Sequence, residues 1–100
     1  MINVLLACNA GVSTAMMEKK IAEEAKRRNI ELIVNAASVS RIESFVKDND
    51  IIVLGPQVRF ASKKIEKEYP DIPVYVIEMA DFGMMRADNV LDNILRVLSK

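Results

Sequence analysis

Apolar and polar residues follow one another along the chain in blocks that predict alternating strands and helices. Four short apolar runs have the length and the branched side chains of buried β-strands. They span residues 2–7, 31–36, 50–54 and 74–77. The third run, DIIVL, shows no polar alternation, which is expected of a strand covered on both faces.

The segments between and after these runs carry apolar residues at helical spacing. The pattern predicts helices over residues 14–28, 40–47 and 57–69, and from residue 88 onwards. Ser40 and Glu43 form a capping-box pattern that would open the second helix, and Asp88 is a candidate N-cap for the last. In the third helix we expect the apolar side chains, Phe60 among them, to face inward. Residues 81–83 are predicted to form a loop.

This alternation predicts one α/β domain over residues 1–100. We expect a three-layer α/β/α sandwich around a parallel four-stranded sheet with the flavodoxin-like strand order 2-1-3-4. In this order the chain continues to one side of strand 1 first and to the other side afterwards, so the topological switch point lies between strands 1 and 3. Ligands bind beyond the carboxyl ends of those two strands. In this chain those ends carry Cys8 and the turn 55–57.

Composition narrows the choice of function. Fourteen basic and fourteen acidic residues cancel, and 5% of residues are aromatic, so we expect no nucleic-acid partner. No apolar run approaches the roughly 20 residues of a membrane span. The single cysteine forms no internal disulfide and predicts the reducing cytosol. Without histidine a metal site is not expected, and we expect no cofactor.

Candidate chemistry lies in the segment CNAGVST, which begins at Cys8. Gly11 permits close backbone approach, and the loop leads into a helix whose free N–H groups attract anions. The same field favours the thiolate form of Cys8, which makes this residue a candidate nucleophile. A lone cysteine is also commonly a small buried apolar residue, but its place at a strand-to-helix turn favours the reactive interpretation. Ser13 and Thr14 either bind the anion or only cap the helix.

Several related sites are excluded by residues that the chain lacks. A low-molecular-weight tyrosine phosphatase, whose fold the predicted one resembles, has an arginine six residues after its cysteine. Here that position is Thr14, so hydrolysis of a phosphocysteine is not promoted. A response-regulator receiver needs acidic residues after strands 1 and 3, where this chain has Cys8-Asn9 and Gly55-Pro56. A cysteine that accepts phosphate without hydrolysing it indicates a relay.

With Gly55-Pro56-Gln57 after the third strand, the CNAGVST loop resembles that of the lactose/cellobiose-type enzyme IIB. This is a component of the bacterial phosphoenolpyruvate-dependent sugar phosphotransferase system. The resemblance implies a phosphotransferase in which Cys8 accepts phosphate from a phosphohistidine of enzyme IIA. Cys8 then passes it to a sugar, in this family usually a β-linked disaccharide, taken up by the membrane enzyme IIC. It also implies a cytoplasmic protein associated peripherally with that transporter and not inserted in the membrane.

The same resemblance implies roles for individual residues. The phosphate-binding loop would consist of Asn9, Ala10, Gly11, Val12, Ser13 and Thr14. Gln57 and Arg59 would lie at the rim, with Arg59 in partner docking or on a solvated surface. Three methionines are candidates for an adaptable contact surface, although we prefer core or helix packing for them: Met16, Met84 and Met85. A phosphatase-like hydrolase and a non-catalytic regulatory module that binds anions remain alternatives.

Overall fold

The computed structural model describes residues 1–8 and 12–99. Its strands are β1 (Ile2–Cys8), β2 (Leu32–Ser38), β3 (Ile51–Leu54) and β4 (Val74–Val76). Its α-helices are α1 (Val12–Arg27), α2 (Ser62–Glu68), α3 (Met79–Gly83) and α4 (Ala87–Leu98). Short 3-10 helices span Val39–Ser44, Val46–Asp48 and Pro56–Ala61. Within the described ranges no helix is long and apolar enough to cross a membrane.

The four strands form one parallel sheet in the order β2-β1-β3-β4, which confirms the predicted order. At the carboxyl edge Cys8 is in register with Ser38 of β2. Ala7 is in register with Leu54 of β3. The strand that ends at Cys8 therefore lies in the interior of the sheet, beside the strand that leads into Gly55.

Helices cover both faces of the sheet, as predicted for three layers. On one face α1 and α4 pack over alternate residues of the central strands, such as Leu6 and Val53. On the other face α2 and the 3-10 helices pack over the intervening residues, such as Leu5 and Ile52. All four residues of β3 are fully buried. Truncation of Ile52 to alanine would therefore lower the free energy of unfolding by about 2–5 kcal/mol.

The connection from β2 to β3 is not the predicted helix over residues 40–47. It forms two 3-10 helices instead, separated at Phe45, where φ is −119°. The capping-box prediction was also wrong, because Ser38 is the N-cap residue and its side chain accepts from the backbone N–H of Ser40. This bond satisfies one of the unpaired N–H groups of the first turn, and the cap lies two residues before the predicted start.

The predicted helix over residues 57–69 is divided in two. Val58 leaves the helical region, with φ −116° and ψ 21°, and its side chain is fully buried beneath the sheet. Tertiary packing of Val58 thus overrides the helical pattern. The expectation that Phe60 faces inward was wrong, since 79% of its surface is exposed.

Two predictions near the carboxyl end were also wrong. Residues 81–83, expected to form a loop, belong to the one-turn helix α3, which buries Phe82 against the core. The N-cap position of α4 is occupied by Arg86, so Asp88 lies inside its first turn. A carboxylate is favourable there as well because it faces the positive end of the helix dipole.

Candidate functional site

Cys8 is the last residue of β1 and is 2% exposed. Its side chain belongs to the apolar cluster between the sheet and α1, together with Met17 and Ile21. It is a free thiol. An interior strand with hydrogen-bonded neighbours on both sides therefore holds the candidate nucleophile at the carboxyl edge of the sheet.

Gly55, the residue directly after β3, lies beside Cys8. Its N–H donates to the carbonyl of Ala7 at 3.0 Å, which places it beside Cys8. A β-carbon built on Gly55 would lie 2.5 Å from Sγ of Cys8 and 2.8 Å from Oε1 of Gln57. The sulfur and the carboxamide therefore lie against the same face of one glycine, and the structure brings Cys8 together with the turn 55–57.

Helix α1 begins at Val12, four residues after Cys8, and no acidic residue lies in its first turn. The positive end of its dipole is therefore not neutralised by a carboxylate of its own first turn. Thr14 is buried in this turn. The last turn carries Lys26 and Arg27, which complement the opposite end of the dipole. The charge distribution along α1 thus favours an anion at the end that faces the site.

The predicted site residues other than Cys8 and Thr14 fall into three groups. Residues 9–11 and the side chains of Val12 and Ser13 lie outside the described part of the structure, so their predicted phosphate contacts stay predictions. Gln57 is exposed and lies against Gly55 with the Cys8 sulfur. Arg59 is exposed on the same 3-10 helix, two residues further along the chain.

Large apolar side chains are exposed on the elements that follow the carboxyl ends of the strands. Met16 and Met84 are 47% and 65% exposed, so neither lies in the core, while Met85 does pack against the core. The sequence reasoning missed Met79 and the exposure of Phe60. Their positions in the sequence could have indicated that they lie near the site. Phe60 follows Gln57 by three residues, and Met79 is the first residue of the helix after β4.

Comparison with known proteins defines the class to which this fold and this site belong. Residues 3–93 match the family described as "PTS system, Lactose/Cellobiose specific IIB subunit". The galactose-specific EIIB component of Lactococcus lactis subsp. cremoris (strain MG1363) is 35% identical over 95 residues, which cover 88% of each chain. The oligo-beta-mannoside-specific EIIB component of Bacillus subtilis (strain 168) is 28% identical, over 95% of this chain and 94% of its own.

Solved structures agree with these relatives. The cellobiose-specific IIB component from Borrelia burgdorferi has a TM-score of 0.80 and 34% identity, over 98% of this chain and 92% of its own. The lactose-specific IIB domain from Streptococcus pneumoniae has a TM-score of 0.86 over 96% of each chain. At 19% identity this second similarity shows the fold alone.

The chain belongs to the lactose/cellobiose family of IIB subunits of the sugar phosphotransferase system. It is accordingly a phosphotransferase that takes part in sugar transport.

Proposed function

We propose that Cys8 is the phosphorylated residue of this subunit, and that it carries phosphate from enzyme IIA to a sugar bound by the membrane enzyme IIC. The observation that carries this proposal is the position of the Cys8 sulfur, at the carboxyl edge of an interior strand and against the side-chain-free face of Gly55. An in-line transfer needs a nucleophile held in one place, and an interior strand provides that support.

The first step forms a sulfur–phosphorus bond and breaks a nitrogen–phosphorus bond. The Cys8 thiolate attacks the phosphorus of a phosphohistidine of IIA, and the imidazole nitrogen leaves with the bonding electron pair and takes up a proton. In the second step a sugar hydroxyl attacks the phosphorus and loses its proton to solvent, and the thiolate leaves with the electron pair of the broken sulfur–phosphorus bond. No redox change occurs, and the cysteine returns to its starting state.

Residues 9–14 bind the phosphoryl oxygens in this proposal. The N-terminal end of α1 supports such binding, because free N–H groups and the helix dipole both stabilise negative charge. Gln57 contributes at the rim because its carboxamide shares the Gly55 face with the sulfur. Arg59 is assigned to partner docking, together with exposed apolar residues such as Met16 and Phe60.

Phosphocysteine should survive until the acceptor arrives. Thr14 stands where a related phosphatase has arginine, so no guanidinium at this position of the loop stabilises the charge that builds up during attack by water. We assign the sugar to the β-linked disaccharides, which is consistent with relatives named for cellobiose and for oligo-beta-mannosides. The subunit then acts as one domain in the cytoplasm, peripherally at the transporter.

Intact mass measurement after incubation with phosphorylated IIA tests the proposal. We expect the wild-type chain to gain one phosphoryl group and to lose it when IIC vesicles and cellobiose are added. Cys8→Ser should gain none while its circular dichroism spectrum stays that of the folded protein. Rapid release of inorganic phosphate would identify a hydrolase instead, and an unmodified wild-type chain would contradict both catalytic functions.

A further inference from the structure

The backbone conformation of Gly55 is one that any type of residue can adopt. Its φ of −67° and ψ of 154° lie in the extended region, so a positive φ does not explain the glycine. The space beside its Cα is what distinguishes the position. An added β-carbon would lie 2.5 Å from the Cys8 sulfur, a separation that side chains do not tolerate.

The backbone of Gly55 is fixed on both sides. Its N–H donates to Ala7 of β1 at 3.0 Å, and its carbonyl accepts from the N–H of Val58 at 3.1 Å. Pro56 follows, buried and with a φ that its ring restricts. A clash at Gly55 is therefore relieved more easily by the neighbouring side chains than by moving this backbone.

The two neighbouring side chains differ in how they respond. Oε1 of Gln57, at 2.8 Å, is the far end of a flexible and exposed side chain, so small torsional changes move it away. The Cys8 sulfur is one bond from a β-carbon that itself lies at an ordinary 3.5 Å. Because a cysteine has one torsion with three staggered positions, the sulfur escapes only by moving to another rotamer.

We propose that Gly55 is a positioning residue for the nucleophile: its missing side chain keeps open the space that the Cys8 sulfur occupies when it attacks phosphorus. This inference rests on the proposed function of Cys8. It adds the requirement that the residue directly after β3 has no side chain. A larger residue at position 55 leaves the sheet intact but turns the Cys8 sulfur away from the position in which it attacks phosphorus.

Gly83 provides a matched control. A β-carbon built there meets no atom within 4 Å among the described residues, so Gly83→Ala changes the same chemical group without a clash. For Gly55→Ala we expect the rate constant of phosphoryl transfer from saturating phosphorylated IIA to fall by at least about 100-fold, since displacing a reacting atom by only about 1 Å already has that effect. For Gly83→Ala we expect a change of less than about threefold.

A structural readout separates this inference from the proposed function. The Hα–Hβ scalar couplings of Cys8 report its rotamer, and we expect them to change in Gly55→Ala and to stay at wild-type values in Gly83→Ala. If wild-type protein takes no phosphate, the proposed function fails while these couplings still decide the role of Gly55. Unchanged couplings in a folded Gly55→Ala protein would overturn the inference.

A double-mutant cycle keeps the inference testable even if Gly55→Ala alone unfolds. The Cys8→Ala substitution removes the sulfur and keeps the β-carbon that makes only ordinary contact. We therefore expect the loss of thermal stability caused by Gly55→Ala to disappear in the Cys8→Ala background. An equal loss in both backgrounds would show that the sulfur is not the obstacle and would reject the proposal.

Discussion

Arg28 donates from Nη1 to Oδ1 of Asp92 at 2.6 Å, and this ion pair joins the turn after α1 to α4. The same guanidinium donates from Nη2 to the backbone carbonyl of Asp88 at 3.1 Å and from Nε to Glu24 at 2.7 Å. One side chain therefore links two helices that pack on the same face of the sheet.

We expect Arg28→Lys to lower the midpoint temperature of unfolding more than Arg27→Lys does. A lysine ammonium cannot reproduce three contacts arranged around a planar guanidinium. Arg27 is the matched control because its side chain is 69% exposed and its ion pair is with Glu24 of the same helix. Thermal unfolding of both variants measures the difference, and equal midpoints would contradict the role of Arg28.

Glu24 gives the fold a dependence on acid pH. Hydrogen bonds from Arg27 and then from Arg28 lower the pKa of Glu24 from its ordinary 4.5 to about 2. Because the pKa is lower in the folded state, the stabilisation is fully present above pH 4.5 and is lost as the pH falls towards 2. We expect wild type to exceed Glu24→Gln in unfolding midpoint at neutral pH and the difference to vanish near pH 2.

Glu23 is the control for this pH experiment, since it is the adjacent exposed carboxylate on α1. Glu23→Gln should leave the pH profile of the unfolding midpoint close to that of wild type. Raising the salt concentration at neutral pH should narrow the gap between wild type and Glu24→Gln, because the attraction between Glu24 and the 69% exposed Arg27 is screened. A gap that persists unchanged down to pH 2 would show that the carboxylate charge is not its source.

Asn29, two residues after the last residue of α1, has a left-handed conformation with φ 59°. The N–H of the next residue, Ile30, donates to the carbonyl of Ala25 at 2.8 Å, which completes the helix C-cap. We expect Asn29→Gly to keep or raise the free energy of unfolding and Asn29→Ala to lower it by about 1 kcal/mol, because a β-carbon is disfavoured in this conformation. Urea denaturation measures both, and an Asn29→Ala protein as stable as Asn29→Gly would contradict the assignment.

A substitution of Phe60 tests the proposed docking surface for IIA, which includes Met16, Arg59 and Phe60. Since 79% of its surface is exposed, we expect Phe60→Ala to change the free energy of unfolding by less than about 0.5 kcal/mol. The KM for phosphorylated IIA should rise about tenfold, as for loss of an aromatic contact at an interface.

Ile33 is the control for Phe60, as a 45% exposed apolar residue on β2. It lies five residues from Ser38, which is in register with Cys8, and thus about 17 Å from that end of the sheet at roughly 3.3 Å per residue. Ile33→Ala should leave the KM unchanged. A KM that responds equally to both substitutions would argue against a surface centred on the nucleophile.

The sequence predicts the sheet well because its signals are local and mutually consistent. The continuous apolar run of β3 indicated burial on both faces, and all its residues are buried. The connections were predicted less well, since packing decides them: burial of Val58 interrupts a helical pattern, and burial of Phe82 organises a helix where a loop was expected. For the site, spacing indicated which strand ends meet. The contact between the Gly55 face and the Cys8 sulfur depends on register and could not be read from spacing.

The interior position of β1 has a consequence for synthesis of the protein. This strand is translated before β3, one of its two neighbours in the sheet, which consists of residues 51–54. Until they emerge, the growing chain cannot complete the sheet around Cys8, and its thiol lacks the cover that makes it 2% exposed in the finished fold. The burial of this thiol is therefore complete only after β3 and Gly55 have been translated.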